Sequence, residues 1–292
     1  SSDQKGGAAA MIAAGKILKG LDYNGDHSVY FTFTVLEEDC DGLCWKYLIE
    51  EEGLRPDYAV STEPTSCRLY RGHRGRMEME AVIRGVSAHG SAPERGSSAA
   101  YKAARAALAM ESLNAQLEPD EFLGKGTVVV SQMNIHGPSQ CAVPDQGRLY
   151  LDRRLTWGET ADMALQQVRD CMGSDLESVS MPLFEKKGWQ GIDYGQELYF
   201  PTWKIPEDHP LVRAGADTYS QLYGKQPEIG KWTFSTNCVA ICGRHQIPCI
   251  GFGPGDENQA HAPNEHTRID DLVTCSAVYA ALPYVLDKDM PL

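Results

Sequence analysis

Missing from the sequence is any basic run: 27 Lys and Arg stand against 40 Asp and Glu, a net charge of -13 over 292 residues. With no lysine or arginine stripe to track phosphates or an anionic bilayer, no nucleic acid and no membrane surface is expected as a partner. No apolar run approaches the roughly 20 residues that span a bilayer, and Ser1-Ser2-Asp3-Gln4-Lys5 is not a signal peptide, which predicts a cytoplasmic protein. Tight Cys-x-x-Cys knuckles are absent too. The nine cysteines are an odd number scattered through a chain too long to need a disulfide scaffold, and Cys40 and Cys44, like Cys238 and Cys242, lie one helical turn apart. They read as reduced thiols, buried as small apolar side chains.

The length suffices for two domains of the usual size of about 100 to 150 residues. Residues 28 to 36, Ser-Val-Tyr-Phe-Thr-Phe-Thr-Val-Leu, are β-branched or aromatic with no charge, the pattern of a strand covered on both faces. Helical spacing flanks it, at Met11, Ala14 and Leu18 before and at Leu43, Tyr47 and Leu48 after, and 57 to 61 reads as a second short strand. Strands alternating with helices predict an α/β domain with a mainly parallel sheet between helical layers. Near His73 the pattern changes: Met77, Met79, Ala81 and Ile83 alternate with Arg76, Glu78 and Glu80, as in a sheet with one wet face. A helix over 97–115, strands near 127–135 and 148–154, a helix opening at the capping-box sequence Thr156-Trp-Gly-Glu159 and a strand near 178–184 complete a ferredoxin-like order. The expected division is therefore 1–72 and 187–292 as catalytic domain, with 73–186 inserted as an α+β domain. Between 185 and 210, Trp189, Tyr194, Tyr199, Phe200 and Trp203 border either a substrate cleft or a hinge. A helix over 211–223, a strand over 248–253 and a closing helix over 270–286 follow.

Glu37 and Glu38 stand where the 28–36 segment ends, the edge at which doubly wound sheets place ligands. A solvated acid cluster opening a helix is the alternative reading. Glu63, braced by Pro64, follows another apolar strand; His261 lies in the Gly-rich loop Gly253-Pro-Gly-Asp-Glu-Asn-Gln-Ala-His261; and Asp3 precedes Gly6-Gly7 and an Ala-rich helix. Each is weak alone. Together they put carboxylates and an imidazole at one sheet edge, a donor set suited to a divalent metal.

The ordered motifs Ser-Asp-x-Lys-Gly-Gly, Glu-Glu-Asp, Thr-Glu-Pro-Thr, Ser87-Ala-His-Gly-Ser91 and His261-Ala-Pro-Asn-Glu265 resemble the co-catalytic zinc family of acetylornithine deacetylase, succinyl-diaminopimelate desuccinylase and glutamate carboxypeptidase. Thr233-Phe-Ser-Thr-Asn237 makes the chain most similar to the selenium-metabolism hydrolase branch. The resemblance implies two divalent metal ions per complete subunit, zinc first, with cobalt or manganese as alternatives. Asp3 would bridge them, Glu38 and His261 would complete one site, Glu63 would belong to the other, and Glu37 would be the general base. The inserted domain would be lid and homodimer contact, and His89 would steady the oxyanion in a partner subunit. Arg154, Asn237, Gly253 and Gly255 are candidates for gripping a small substrate's carboxylate or backbone, with strand ion pairing and ordinary turn chemistry as alternatives.

The family's upstream His-x-Asp motif is missing: none of the eight histidines has Asp two residues later, so one expected metal ligand is lacking. The resemblance thus implies that the chain is a fragment lacking a strand-helix-strand block before Asp3. The expected reaction is metal-assisted hydrolysis of an amide or peptide bond in a small N-acyl amino acid or short peptide. The rival expectation is a non-catalytic homologue or dimeric scaffold that has lost its metal pair.

Overall fold

The computed structural model describes residues 1–188 and 190–289, so Trp189, one of the aromatic candidates for the cleft or hinge, lies outside the described residues. Two compact units emerge, one from Ser1–His73 together with the chain from Trp203 onward, the other Arg74–Thr202.

The first unit opens on helix α1 (Lys5–Gly20), followed by α2 (Leu43–Glu50), β1 (Ala59–Ser61) and β2 (Leu69–His73). The second contains β3 (Gly75–Arg84), α3 (Ala99–Gln116), β4 (Thr127–His136), β5 (Gln146–Leu155), α4 (Ala161–Met172), β6 (Ser178–Ser180) and β7 (Tyr199–Phe200). The chain then returns to the first unit with β8 (Trp203–Lys204), α5 (Pro210–Tyr223), β9 (Ile229–Trp232), a π-helical segment Val239–Arg244, β10 (Cys249–Gly251) and α6 (Ile269–Asp289).

In the first unit the strand order is β1-β10-β2-β8, with β9 also pairing β2. β1 runs parallel to β10 and β9 parallel to β2, while β10 and β8 pair β2 antiparallel, so the sheet is mixed. Ala10, Ala14 and Leu18 of α1, Leu211 and Val212 of α5 and Val278, Leu282 and Val285 of α6 share one core. By length and composition α6 could cross a bilayer, against the expectation that no such run exists. Here Cys275, Val278 and Leu282 are buried in the protein core instead.

One expected element does not form. Residues 28–36 join no strand among the described residues, and Val29, Tyr30, Phe33 and Val35 are exposed. Composition favours a strand only where a neighbouring strand takes its hydrogen bonds. What the segment meets instead is α1, where Phe31 lies 3.3 Å from the position a Cβ on Gly15 would take.

The second unit has the predicted alternation: Met77, Met79, Ala81 and Ile83 face a core shared with Leu149, Leu151, Ala103 and Val168. Its strands run β7-β3-β5-β4 with β6 also on β3, the ferredoxin-like arrangement extended by β7. Because β7 pairs with β3 at Tyr199↔Met77, the unit reaches Thr202 rather than ending near 186. The second helix also starts later than the capping-box sequence suggests. Thr160 caps α4 by accepting the Met163 N–H at 3.3 Å, while Glu159 accepts the Thr156 N–H at 2.7 Å and an ion pair from Arg153.

Arg153 is 1% exposed, and Glu159 is its carboxylate partner. Glu159→Ala should therefore cost about 2–3 kcal/mol, because a buried cation would keep only neutral acceptors such as Gln167. Urea unfolding checks this; a midpoint unchanged from wild type would show that Arg153 is solvated without its partner.

Candidate metal centre

Glu37 and Glu38 reach the site through a turn. Leu36 adopts φ 67°, the left-handed region, and the Cys40 N–H closes on the Leu36 carbonyl at 3.0 Å, so residues 37–39 double back where the 28–36 segment stops. His261, the last acceptor-bearing ring of the Gly-rich loop, is left-handed too, at φ 57°. Such conformations cost a non-glycine residue about 1–2 kcal/mol and gather at functional sites.

These turns bring three of the expected ligands together. His261 Nε2 lies 3.1 Å from Asp3 Oδ2 and 3.1 Å from Glu38 Oε2, and one ligand atom from each of the three residues falls within 4.8 Å of the others. Two carboxylates and one imidazole on an exposed rim fit a divalent cation with room for a water or substrate. Glu63 sits beneath them, 3% exposed, its Oε1 accepting from Gln4 Nε2. Burial, then the charges of Glu37 and Asp3, hold the Glu63 carboxyl well above the usual carboxylate range. Burial and Glu38 raise Asp3, with His261 opposing, and the hydrogen bond and charge of Glu38 raise His261. Crowded acids that resist ionising together are the electrostatic counterpart of a cation site.

Two contributors were not read from the sequence. Gln4 donates to Glu63 through Nε2 and accepts the Thr62 hydroxyl at 2.7 Å through Oε1, fixing both. Glu265 accepts the Asp3 N–H at 2.6 Å and so holds the Asp3 backbone. Both lie inside the motifs quoted above, as the unspecified residue after Asp3 and the last residue of the His261 motif, but composition gives no hint of their partners.

The remaining candidates have other occupations. Gly253 is buried so closely against the Glu63 backbone that a Cβ would lie 2.0 Å from its carbonyl oxygen. At φ 85° Gly255 adopts a conformation only glycine takes freely, and a Cβ there would meet Ser2 Oγ at 2.3 Å. Both therefore shape the ligand loops. Asn237 Oδ1 accepts from the Gly42 N–H at 3.0 Å and from Cys44 Sγ at 3.2 Å. Arg154 belongs to the other unit, its guanidinium forked onto Asp152 at 2.8 and 3.0 Å, the strand ion pair of the alternative reading. His89, also in that unit, is exposed, and its Nδ1 accepts the Ser91 N–H at 3.1 Å, which leaves the ring proton on Nε2.

An α/β sheet whose loops gather two carboxylates and an imidazole beside a buried glutamate defines a metallohydrolase scaffold. Residues 1–284 match Peptidase family M20/M25/M40, and the chain belongs to that family, whose members are metal-dependent hydrolases acting on carbon-nitrogen bonds. It is 52% identical over 285 residues to the Escherichia coli K12 protein named Uncharacterized protein YgeY, covering 97% of this chain and 71% of that one. It is 28% identical over 276 residues to acetylornithine deacetylase of Klebsiella pneumoniae, covering 91% and 66%. A tripeptidase structure from Staphylococcus aureus superposes with a TM-score of 0.72 at 19% identity, over 98% of this chain and 71% of that one, and so shares the fold.

Proposed function

We propose that this chain hydrolyses the C–N bond of a small N-acyl amino acid or short peptide, using a divalent metal, zinc in the first instance, held by Asp3, Glu38 and His261. The convergence of those three ligand atoms carries the reading. A divalent cation there would acidify a water and polarise the scissile carbonyl. Glu37, beside Glu38 in the turn, takes the proton of the attacking water and hands it to the leaving amine. Glu63, buried below and inclined to hold its proton without metal, would give that proton up to serve as ligand to a second cation. His89 presents an Nε2–H suited to a developing oxyanion. The Arg74–Thr202 unit serves as lid and homodimer contact, and the site of action is the cytoplasm. A relative named as a deacetylase and a fold neighbour named as a tripeptidase support a substrate class spanning acyl amino acids and peptides.

Elemental analysis after dialysis tests the reading. Wild type should retain a divalent ion, and His261→Ala, leaving two carboxylates, should lose most of it. Chelation should abolish cleavage of a panel of N-acetyl amino acids and tripeptides, and zinc or cobalt should restore it. Hydrolysis that persists in the stripped protein would overturn the proposal.

A further inference from the structure

The turn that carries Glu37 and Glu38 is held at its far end by Ser235 and Asn237, whose hydrogen bonds go to Asp41, Gly42 and Cys44. Glu38 is 62% exposed, so its aim depends on the backbone of residues 36–42 rather than on packing around its side chain. That backbone ends at Gly42, which has φ 72° and caps α2 without a side chain of its own. The cap comes from across the fold. Asn237 Oδ1 accepts the Gly42 N–H, and Ser235 Oγ donates to the carboxylate of Asp41, itself buried. A Cβ on Gly42 would fall 2.8 Å from Ala240 Cβ and Val239 Cγ2, so the turn lies directly on the start of the π-helical segment.

The clamp is itself anchored. Thr236, between its two arms and fully buried, donates its N–H to His73 Nε2 at 3.1 Å, and its hydroxyl accepts the Cys238 N–H at 3.1 Å. His73 is fixed on β2, edge-on to Trp203 at 5.3 Å and Trp232 at 6.0 Å. The carbonyls of Thr236 and Asn237 accept the first two N–H groups of the π-helical segment, those of Val239 at 3.0 Å and Ala240 at 3.1 Å. A rigid path therefore runs from the sheet, through His73 and Thr236, to the turn that presents Glu38.

We infer that Ser235 and Asn237 are positioning residues that set the metal affinity of the Asp3, Glu38 and His261 site by fixing the 36–42 turn. The inference rests on the metal reading above. Residues that orient metal ligands from behind usually change affinity about 10- to 100-fold when removed.

The test is titration of metal-free protein with cobalt chloride, read by the visible absorption of bound Co2+, with melting temperature measured in parallel. Asn237→Leu and Ser235→Ala should each weaken cobalt binding about 10- to 100-fold. Ser235→Thr keeps the hydroxyl and should bind as wild type does. Val212→Ala, on the buried face of α5, supplies a destabilised control that should keep wild-type affinity. Unchanged affinity in both clamp variants would overturn the inference while leaving the metal site standing. So would equal weakening in Val212→Ala, which would make the effect one of general stability. Wild type that takes up no cobalt would overturn the functional reading itself, and this one with it.

Discussion

Glu37→Gln should lower turnover by about 10² to 10⁴ while leaving metal content close to wild type, because general-base terms run to that size. The substitution keeps the side chain's shape and removes only its ability to take a proton. The charge of Glu37 acts on both Glu63 and the Cys44 thiol, as it would for a residue close to the buried acid. Glu38, its neighbour, is already spent on His261 at 3.1 Å. Steady-state kinetics and elemental analysis on one preparation separate the two duties. Parallel loss of metal and rate would make Glu37 a ligand and leave the base unassigned.

Glu63→Gln should move stability and metal affinity in opposite directions. In the metal-free protein the Glu63 carboxyl titrates well above its unfolded value, through burial and the neighbouring charges of Glu37 and Asp3. Between those two values the folded chain holds the extra proton, so stability falls as pH rises through that window, and the loss persists above it. Glutamine has no proton to lose and can still accept from Gln4 Nε2. Metal-free Glu63→Gln should accordingly melt several degrees higher than wild type at neutral pH, with the difference shrinking on acidification. Its affinity for divalent metal should drop, since a ligand-side charge is gone. Melting curves of both proteins across mildly acidic to neutral pH, with and without zinc, decide it; a metal-free variant less stable than wild type at neutral pH would show that Glu63 is stabilised as an anion by some other group.

How much of this could be read beforehand differs sharply between the units. In the Arg74–Thr202 unit, alternation along β3 and the helical spacing of α3 depend on neighbours within the unit itself, so periodicity was a sufficient guide. Residues 28–36 show the limit, since β-branched and aromatic content marks what could be a strand but not whether a partner is there to bond it. At the site, Glu63 was legible because an acid following an apolar strand is costly unless used, and Asp3, Glu38 and His261 were legible as members of the spaced motifs. Gln4 and Ser235 were not, because a neutral amide or hydroxyl gives no such signal until its partner across the chain is known, and Glu265 was not, because an acid in a loop ordinarily faces water. Asn237 stood out as a candidate for gripping substrate, but nothing in the sequence signalled that its Oδ1 accepts the Gly42 N–H.

The 28–36 segment also bears on how the protein behaves in concentrated solution. It is uncharged, lacks proline, and exposes Tyr30 at 67% and Phe33 at 56%, with backbone groups outside any sheet among the described residues. Such a stretch is a ready template for pairing with its counterpart on another molecule, and the usual safeguards of lysine or proline on the exposed face are absent. Self-association through this segment would climb steeply with concentration and would be insensitive to salt, since no charge drives it, which marks it off from any effect of the acidic surface around it.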